Sequence, residues 1–474
     1  MKEKDITMMG IKEVSAMIKY KEISPVEVVE ECVKRTKELQ PGLNAYISFL
    51  EEGAIKEAKV AEKEIMKGGP KSPLHGIPIA LKDLFYTKGI LTSAGSKLLS
   101  DFIPDYDSTI TERLNQAGAI LMGKTNTHEF AFGPTCEHSY YGACHNPWDP
   151  SRITGGSSGG SAIAVATGMA YMAMGSDTGG SVRIPSAFCG TVGFKPTYGL
   201  ASLFGVIPVS FTLDHPGPLT RSVYDAAVTM DYITGYDPKD PCLGRYKGEK
   251  INFSEGLDKV KDVKGIKIGI PANFYFDKTD YEIEKLVRDA ISNFEKLGAQ
   301  IIDVEIPFLD RVPEVSTIIM FSEAAAYHKD NLALVSHPEE YTPAVRERLE
   351  QGMNYKATDY VSALQEREKI LSSWSKAISQ VDIVVAPTLP IPAFKIGEKT
   401  VMTRGKEEGS WAMCTIHTRF ANTAGCPALT VPCGLTSEGL PAGMMIMGRN
   451  YEDNTVLKAG YAYEKHYPYR FKQF

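Results

Sequence analysis

The sequence has no apolar run approaching the roughly 18 residues that a membrane-spanning helix needs, so no membrane partner is expected. Its N-terminal stretch, MKEKDITMMGIKEVSAMIKYKE, is charged and amphipathic. It lacks the apolar core of a secretory signal, which makes the cytoplasm the expected location. Positive charge is not in excess: 52 Lys and Arg stand against 58 Asp and Glu, a net charge of −6. Nucleic-acid-binding domains usually show the opposite balance, so no direct nucleic-acid partner is expected.

Metal-ligand spacing is missing too. The eight cysteines (Cys32, Cys136, Cys144, Cys189, Cys242, Cys414, Cys426 and Cys433) form no CxxC pair and no Cys/His pattern typical of zinc. They are expected to be buried and reduced rather than joined in disulfides. The nine histidines are scattered, and THEF and CEHS lack the HExxH spacing of a metal hydrolase. No metal and no cofactor are expected. A Walker loop needs a lysine after its glycines, and neither glycine cluster has one. GGSSGG carries serine where a dinucleotide fingerprint needs its second glycine. The GxSxG nucleophile elbow is absent as well.

What the chain does have is an alternation of amphipathic helices with short apolar strands. ISPVEVVEECVKRTKEL opens with Ser24 as N-cap, Pro25 at the first helical position and Glu27 to complete a capping box. A second helix is expected over 53–67. GIPIAL (76–81) reads as a strand delivering Lys82. STITERLNQAGAILMGKTN reads as a helix ending near Gly118, followed by a buried strand from Ala119 to Met122. Further strands are expected at 266–271, 382–387, 428–432 and 442–448, with a helix-then-strand unit over 281–307. The expected fold class is therefore α/β, a central mixed twisted sheet covered by helices on both faces. One domain over 1–474 is expected, with N-terminal helices over about 8–70 and a surface excursion over about 236–262. A homodimer remains open.

Two glycine-rich turns carry the chemistry. Residues 155–189 read GGSSGGSAIAVATGMAYMAMGSDTGGSVRIPSAFC, a small-residue helix and a strand between two loops. That layout would bring Ser157 and Ser181 close together. Thr178, Gly179, Gly180 and Ser181 could turn successive N–H groups inward as an oxyanion nest, with Ser181 as nucleophile. A purely structural glycine turn is the competing reading. Lys82 is the candidate base, provided that burial lowers its ordinary pKa of about 10.4. Against this stands a solvated lysine paired with neighbouring Asp83.

Taken together, Lys82, GGSSGGS (155–161) and GSDTGGSVRIPSAFCG (175–190) resemble the amidase signature family. The spacing, 75 residues from Lys82 to Ser157 and 24 from Ser157 to Ser181, fits its pattern. So do GKTNTHEFAFG (123–133), NPWDPSRITGGSSGGS (146–161), VGFKPTYGLAS (192–202), LDHPGPLTRSVYDAA (213–227), DIVVAPTLPIPA (382–393) and ANTAGCPALTVPCG (421–434). The resemblance implies a Ser–cis-Ser–Lys triad of Ser181, Ser157 and Lys82, with a cis peptide before Ser157. It implies hydrolysis of a carboxylic amide, small or oligomeric, through an acyl-enzyme. Ser158 and Ser161 would be loop hydrogen bonders, and Asp177 would orient the loop.

The alternative within the family is the glutaminase subunit of glutamyl-tRNA amidotransferase, which supplies ammonia to partner subunits. That subunit holds its glutamine through an arginine and an aspartate. Aligned by sequence, those positions are Glu368, with Arg367 one residue off, and Thr415, so both charged anchors are expected to be lost. THEFAFGPTCEHSYYG (127–142) is expected to line the pocket, with Phe130, Phe132, Gly133 and Tyr140, beside Tyr141, as substrate contacts. Trp411 and Met413 are candidates for a distal wall.

Overall fold

A computed structural model describes residues 5–242, 246–332 and 334–469. The apolar runs become strands because their Val, Ile, Leu and Met side chains suit a sheet buried on both faces. In chain order they are β1 (Tyr46–Phe49), β2 (Pro78–Lys82), β3 (Ile120–Thr125), β4 (Met172–Asp177), β5 (Val192–Lys195), β6 (His215–Thr220), β7 (Lys267–Pro271), β8 (Gln300–Val304) and β9 (Ile383–Pro387). After them come β10 (Thr400–Thr403), β11 (Lys406–Gly409), β12 (Ala428–Leu435) and β13 (Pro441–Gly448). β10 and β11 form a separate hairpin. The rest build one eleven-stranded sheet in the order β1-β3-β2-β4-β6-β5-β12-β13-β9-β7-β8. It is mixed: β2 runs parallel to β3 and β4, whereas β4, β6, β5, β12, β13 and β9 are successively antiparallel.

Helices flank this sheet, as the alternating pattern predicts. Gly159–Ala166 lies against β4 and β6, Arg183–Cys189 against β5, β12 and β13, and Tyr281–Lys296 against β9, β12 and β13. The capping box opens the helix Pro25–Leu43: Ser24 Oγ accepts from the N–H groups of Val26 and Glu27, and Glu27 Oε2 accepts from Ser24 N at 2.8 Å. The next helix covers Glu51–Gly68, slightly longer at both ends than its pattern suggests. Val312–Asn331 packs on Pro343–Asn354 and on Ala357–Ile378, and the first two of these three helices wall the site described below. Among the described residues, no helix is long and apolar enough to cross a membrane. The eight cysteines form no disulfide, and seven of them are buried.

Candidate active site

Lys82 ends β2, a strand held between β3 and β4, so its side chain has no route to water and is fully buried. Nζ donates to Ser157 Oγ at 2.6 Å and to Ser176 Oγ at 2.9 Å. The expected competitor, a Lys82–Asp83 pair, does not form. Consecutive residues at a strand end point to opposite sides, and Asp83 faces Lys124 at 3.4 Å and accepts from Ser93 N and Oγ at 2.8 and 2.6 Å. Burial pushes Lys82 down to about 7, against the opposing pull of Cys136, Asp214 and Asp177. A lysine near 7 is substantially neutral at physiological pH and can accept a proton.

The peptide Gly156–Ser157 is cis. Ser157 is fully buried, and its carbonyl accepts from His128 N at 3.2 Å and Thr127 Oγ1 at 3.0 Å. Ser161 bonds Thr125 Oγ1 at 2.7 Å and donates to Met174 O at 3.0 Å, tying the loop to β3 and β4. Ser158 Oγ donates to Ser176 O at 3.3 Å. Ser158 N donates to Ser181 O, also at 3.3 Å, which joins the two glycine-rich segments. Ser181 is 8 % exposed, while Lys82 and Ser157 are at 0 %. Only Ser181 of the three reaches the cavity.

The loop carrying Ser181 is organised by Asp177 at the end of β4. This buried carboxylate accepts from Gly180 N at 2.8 Å, Val182 N at 3.1 Å, and Arg183 Nε and Nη2 at 3.0 and 2.9 Å. Asn422 Nδ2 adds a bond at 2.8 Å. Burial works against the charge, but the Arg183 guanidinium and these donors hold Asp177 well below the usual carboxylate range. One expectation is corrected here. Gly180 N–H is committed to Asp177 and cannot also hold an oxyanion. The N–H groups of Thr178, Gly179 and Ser181 donate to no described residue. Gly180 instead supplies shape. Its φ of +127° is open to glycine, and a Cβ there would lie 2.2 Å from Thr418 Oγ1.

Ser181 opens into a cavity of about 220 Å³ shared with Phe132, Gly133, Thr178, Gly179, Phe321, Arg348, Trp411, Thr415 and Arg419. Of the expected contacts, Phe132 and Gly133 are there, and so is Trp411. Phe130 is not: it is fully buried against His328 and Tyr341, ring centroids 4.6 and 5.7 Å away. Tyr140 is not either, being 54 % exposed and packed on Tyr141. Met413 sits in an apolar cluster with Ile184 and Phe188. Alternation along this irregular segment could not be read from the sequence, because Phe130 and Ala131 both have positive φ.

Of the two expected anchor positions, Thr415 lines the cavity and Glu368 does not. Glu368 lies in a separate groove with Asp303 and Phe308, and Arg367 donates to Thr423 O at 2.8 Å, so neither bears on the cavity. Two other arginines do. Arg348 donates to Phe132 O at 2.5 Å and stacks on Trp411, and Arg419 donates to Pro313 O at 3.1 Å. Sequence reading missed both of them, and Ser176 as well.

A mixed α/β sheet thus presents a buried Lys–Ser pair behind a cavity into which Ser181 opens. The Amidase family model matches residues 27–457, and the chain belongs to that family and is an amidase by that membership. It is 37% identical over 490 residues to a glutamyl-tRNA(Gln) amidotransferase subunit of Caldanaerobacter subterraneus subsp. tengcongensis, covering 99% of this chain and 98% of that protein. It is 40% identical over 463 residues to an amidase of Pseudomonas putida, covering 97% and 96%. Among solved structures, a bacterial aryl acylamidase superposes with a TM-score of 0.88 at 28% identity, over 98% of this chain and 97% of that one.

Proposed function

We propose that the whole chain forms one catalytic domain that hydrolyses a carboxylic amide, without partner subunits, through an acyl-enzyme on Ser181. The observation that carries this reading is Lys82 Nζ, fully buried and 2.6 Å from Ser157 Oγ. Neutral Lys82 takes the Ser157 proton as Ser157 takes that of Ser181. Ser181 Oγ then bonds to the amide carbonyl carbon. The N–H groups of Thr178, Gly179 and Ser181 stabilise the oxyanion, a contribution of roughly 3–4 kcal/mol per donor where measured. The relay returns the proton to the amide nitrogen, the C–N bond breaks, and ammonia or an amine departs. Water then enters by the same relay, releasing the carboxylate and restoring Ser181–OH.

A second reading is the ammonia-supplying glutaminase subunit. The amidotransferase relatives favour it, as does the Arg348 guanidinium in the cavity. Thr415 weighs against it, since the cavity lining includes no Asp or Glu to take an ammonium group. Ammonia release by the purified chain, with Ser181→Ala as control, separates the two. Turnover of simple amides by the chain alone supports the first reading. Glutamine as sole substrate, or activity only with partner subunits present, supports the second.

A further inference from the structure

Cys136 and Cys144 stand at the two ends of a seven-residue loop, 137–143, and their sulfurs are 3.4 Å apart. Cys144 N donates to Cys136 O at 3.0 Å, which pairs the ends of the loop. A disulfide needs the sulfurs to close to about 2 Å, so they have roughly 1.4 Å left to travel. Cys189 and Cys433 are placed otherwise: their Sγ atoms donate to Thr154 O and Ala442 O, both at 3.5 Å.

A buried thiol is ordinarily inert, because burial penalises the thiolate that reacts. Cys136 has compensating neighbours. It sits at the N-terminus of the helix Gly159–Ala166, where a Cβ on Gly159 would lie 2.9 Å from its Sγ. Glycine there lets the sulfur come close to the helix N–H groups. Burial opposes ionisation of Cys136. A hydrogen bond from the Cys144 thiol, the N–H groups of Gly159 and Gly160 and the Lys82 charge outweigh it and hold Cys136 below the ordinary thiol value. Cys144 is pushed the other way, by burial and by Cys136.

Both thiols are buried, but the loop between them reaches the surface at Tyr140 and Gly142. Side-chain amides hold it there. Asn44 Nδ2 donates to Tyr141 O and Ala143 O at 2.9 and 3.1 Å, and Asn126 Nδ2 to Gly142 O at 3.1 Å. A surface loop held in this way opens locally more readily than the sheet beneath it, and that opening admits a small oxidant.

We infer that Cys136 and Cys144 are an oxidative modification site, a dithiol that hydrogen peroxide converts to a disulfide. The Cys136 thiolate attacks one peroxide oxygen, the O–O bond breaks, and the departing hydroxide takes up the thiol proton as water. Cys136 is left as a sulfenic acid. The Cys144 sulfur then bonds to the Cys136 sulfur, the S–O bond breaks, and hydroxide leaves as water with the Cys144 proton. Each sulfur gives up one electron, and one peroxide is reduced to two waters.

The dithiol adjoins the catalytic loop. Cys136 Sγ lies 3.6 Å from Ser157 O, and a Cβ on Gly156 would lie 2.8 Å from Cys136 N. Drawing Cys136 toward Cys144 disturbs its packing on both residues, so the disulfide form should turn over amide more slowly. That slowing rests on the amidase reading above; formation of the disulfide does not.

Peroxide treatment of the reduced full chain, followed by peptide mapping by mass spectrometry, tests the inference. The expected product is a link between Cys136 and Cys144 with loss of two hydrogens, reversed by dithiothreitol. It should form about 10-fold or more faster than any oxidation of Cys189 or Cys414. In Cys144→Ser, Cys136 should instead be trapped by dimedone as its sulfenic acid. No link in the unaltered chain, or Cys189 and Cys414 oxidised as fast, overturns the inference whether or not any amide is cleaved. The kcat of the linked chain is expected to fall about 10- to 100-fold and to recover on reduction. An unchanged kcat overturns the coupling to the catalytic loop and leaves the amidase reading standing.

Discussion

Lys82 Nζ and Ser157 Oγ are 2.6 Å apart at a point where both side chains are fully buried. Moving a lysine from its ordinary 10.5 to about 7 is worth about 5 kcal/mol against the charged form. The fold accepts that cost because Lys82 ends a central strand and has only hydroxyl oxygens, of Ser157 and Ser176, within hydrogen-bond reach. A carboxylate in their place would hold the lysine protonated and useless as a base. Asp83, turned toward Lys124, is kept from that role.

The rate should therefore follow deprotonation of Lys82. Activity is expected to be low below pH 6, to rise through about 7 and to level off in mildly alkaline solution. The same depressed pKa means that the unfolded chain binds the extra proton between about 7 and 10.5, so this group's contribution to stability rises with pH over that window. Burial pushes His128 and His215 well below the ordinary histidine value, and neither is expected to supply the limb. Lys82→Met should cut kcat by at least ~1,000-fold with circular dichroism unchanged. A limb that persists in that variant, or one abolished by a single histidine substitution, would contradict the assignment.

Ser176 is expected to act by positioning Lys82. Ser176→Ala removes one of its two acceptors, and an acceptor matters most to the charged form. The rising limb should move to lower pH, with kcat reduced about 10-fold through poorer alignment of Nζ toward Ser157. A purely structural role would lower stability and leave the limb where it was. A pH–rate profile of the variant distinguishes these outcomes.

Much of the fold was legible because long apolar periodicities say what they are. The sheet runs at 76–81, 266–271, 382–387 and 442–448 all appear as strands within a residue or two of their patterns. β6 was not legible. Its sequence, HPGPLT, carries two prolines and a glycine, which argue against a central strand. It stays in the sheet because β4 pairs with it along its whole length, from His215 to Thr220, whereas β5 pairs with it only at Leu219 and Thr220. Pro216 and Pro218 lie beyond that ladder, so their missing N–H groups break no bond to β5.

The site divides in the same way. Lys82, Ser157 and Ser181 stand in or beside glycine-rich motifs with fixed spacing, and the structure brings Lys82 to Ser157 and Ser158 to Ser181. Arg348 and Arg419 carry no local signal. Each is one cation among the 52 Lys and Arg of the chain, and only the packing of Pro343–Asn354 and Arg419–Ala424 around the cavity selects them. Ser176 was hidden inside β4, where a polar residue in an otherwise buried strand reads as tolerated rather than used. A buried polar strand residue two positions before the loop that carries the nucleophile was the available clue.

The buried Asp177–Arg183 pair should be costly to break. Arg183→Met leaves the carboxylate facing only Asn422 and backbone donors, and stability is expected to fall by about 3–5 kcal/mol. Asp177 titrates below its ordinary 3.8, so its stabilising effect is complete above about pH 4 and is lost as the pH falls through its native value. The double variant Asp177→Asn/Arg183→Met should cost less than the sum of the singles, which urea denaturation would measure. Additive losses would mean that the two side chains stabilise the loop independently.

Gly180 offers the sharpest test of whether loop shape matters apart from its N–H. An alanine there would have to adopt φ near +127° and would bring its Cβ to 2.2 Å from Thr418 Oγ1 and 2.6 Å from Thr418 Cβ. Thr418 Oγ1 donates to Gly179 O at 2.6 Å, so a displaced Thr418 releases a residue that lines the cavity. Gly180→Ala is expected to lower kcat by about 100-fold or more, the scale that follows when reacting groups are misplaced by about 1 Å. Adding Thr418→Gly removes two of the clashing atoms, but it also deletes the bond to Gly179 O and leaves Ile184 Cδ1 at 2.8 Å and the backbone strain, so it should not restore activity. Full activity in Gly180→Ala would mean that the loop tolerates a different path, and the oxyanion donors would then have to be sought elsewhere.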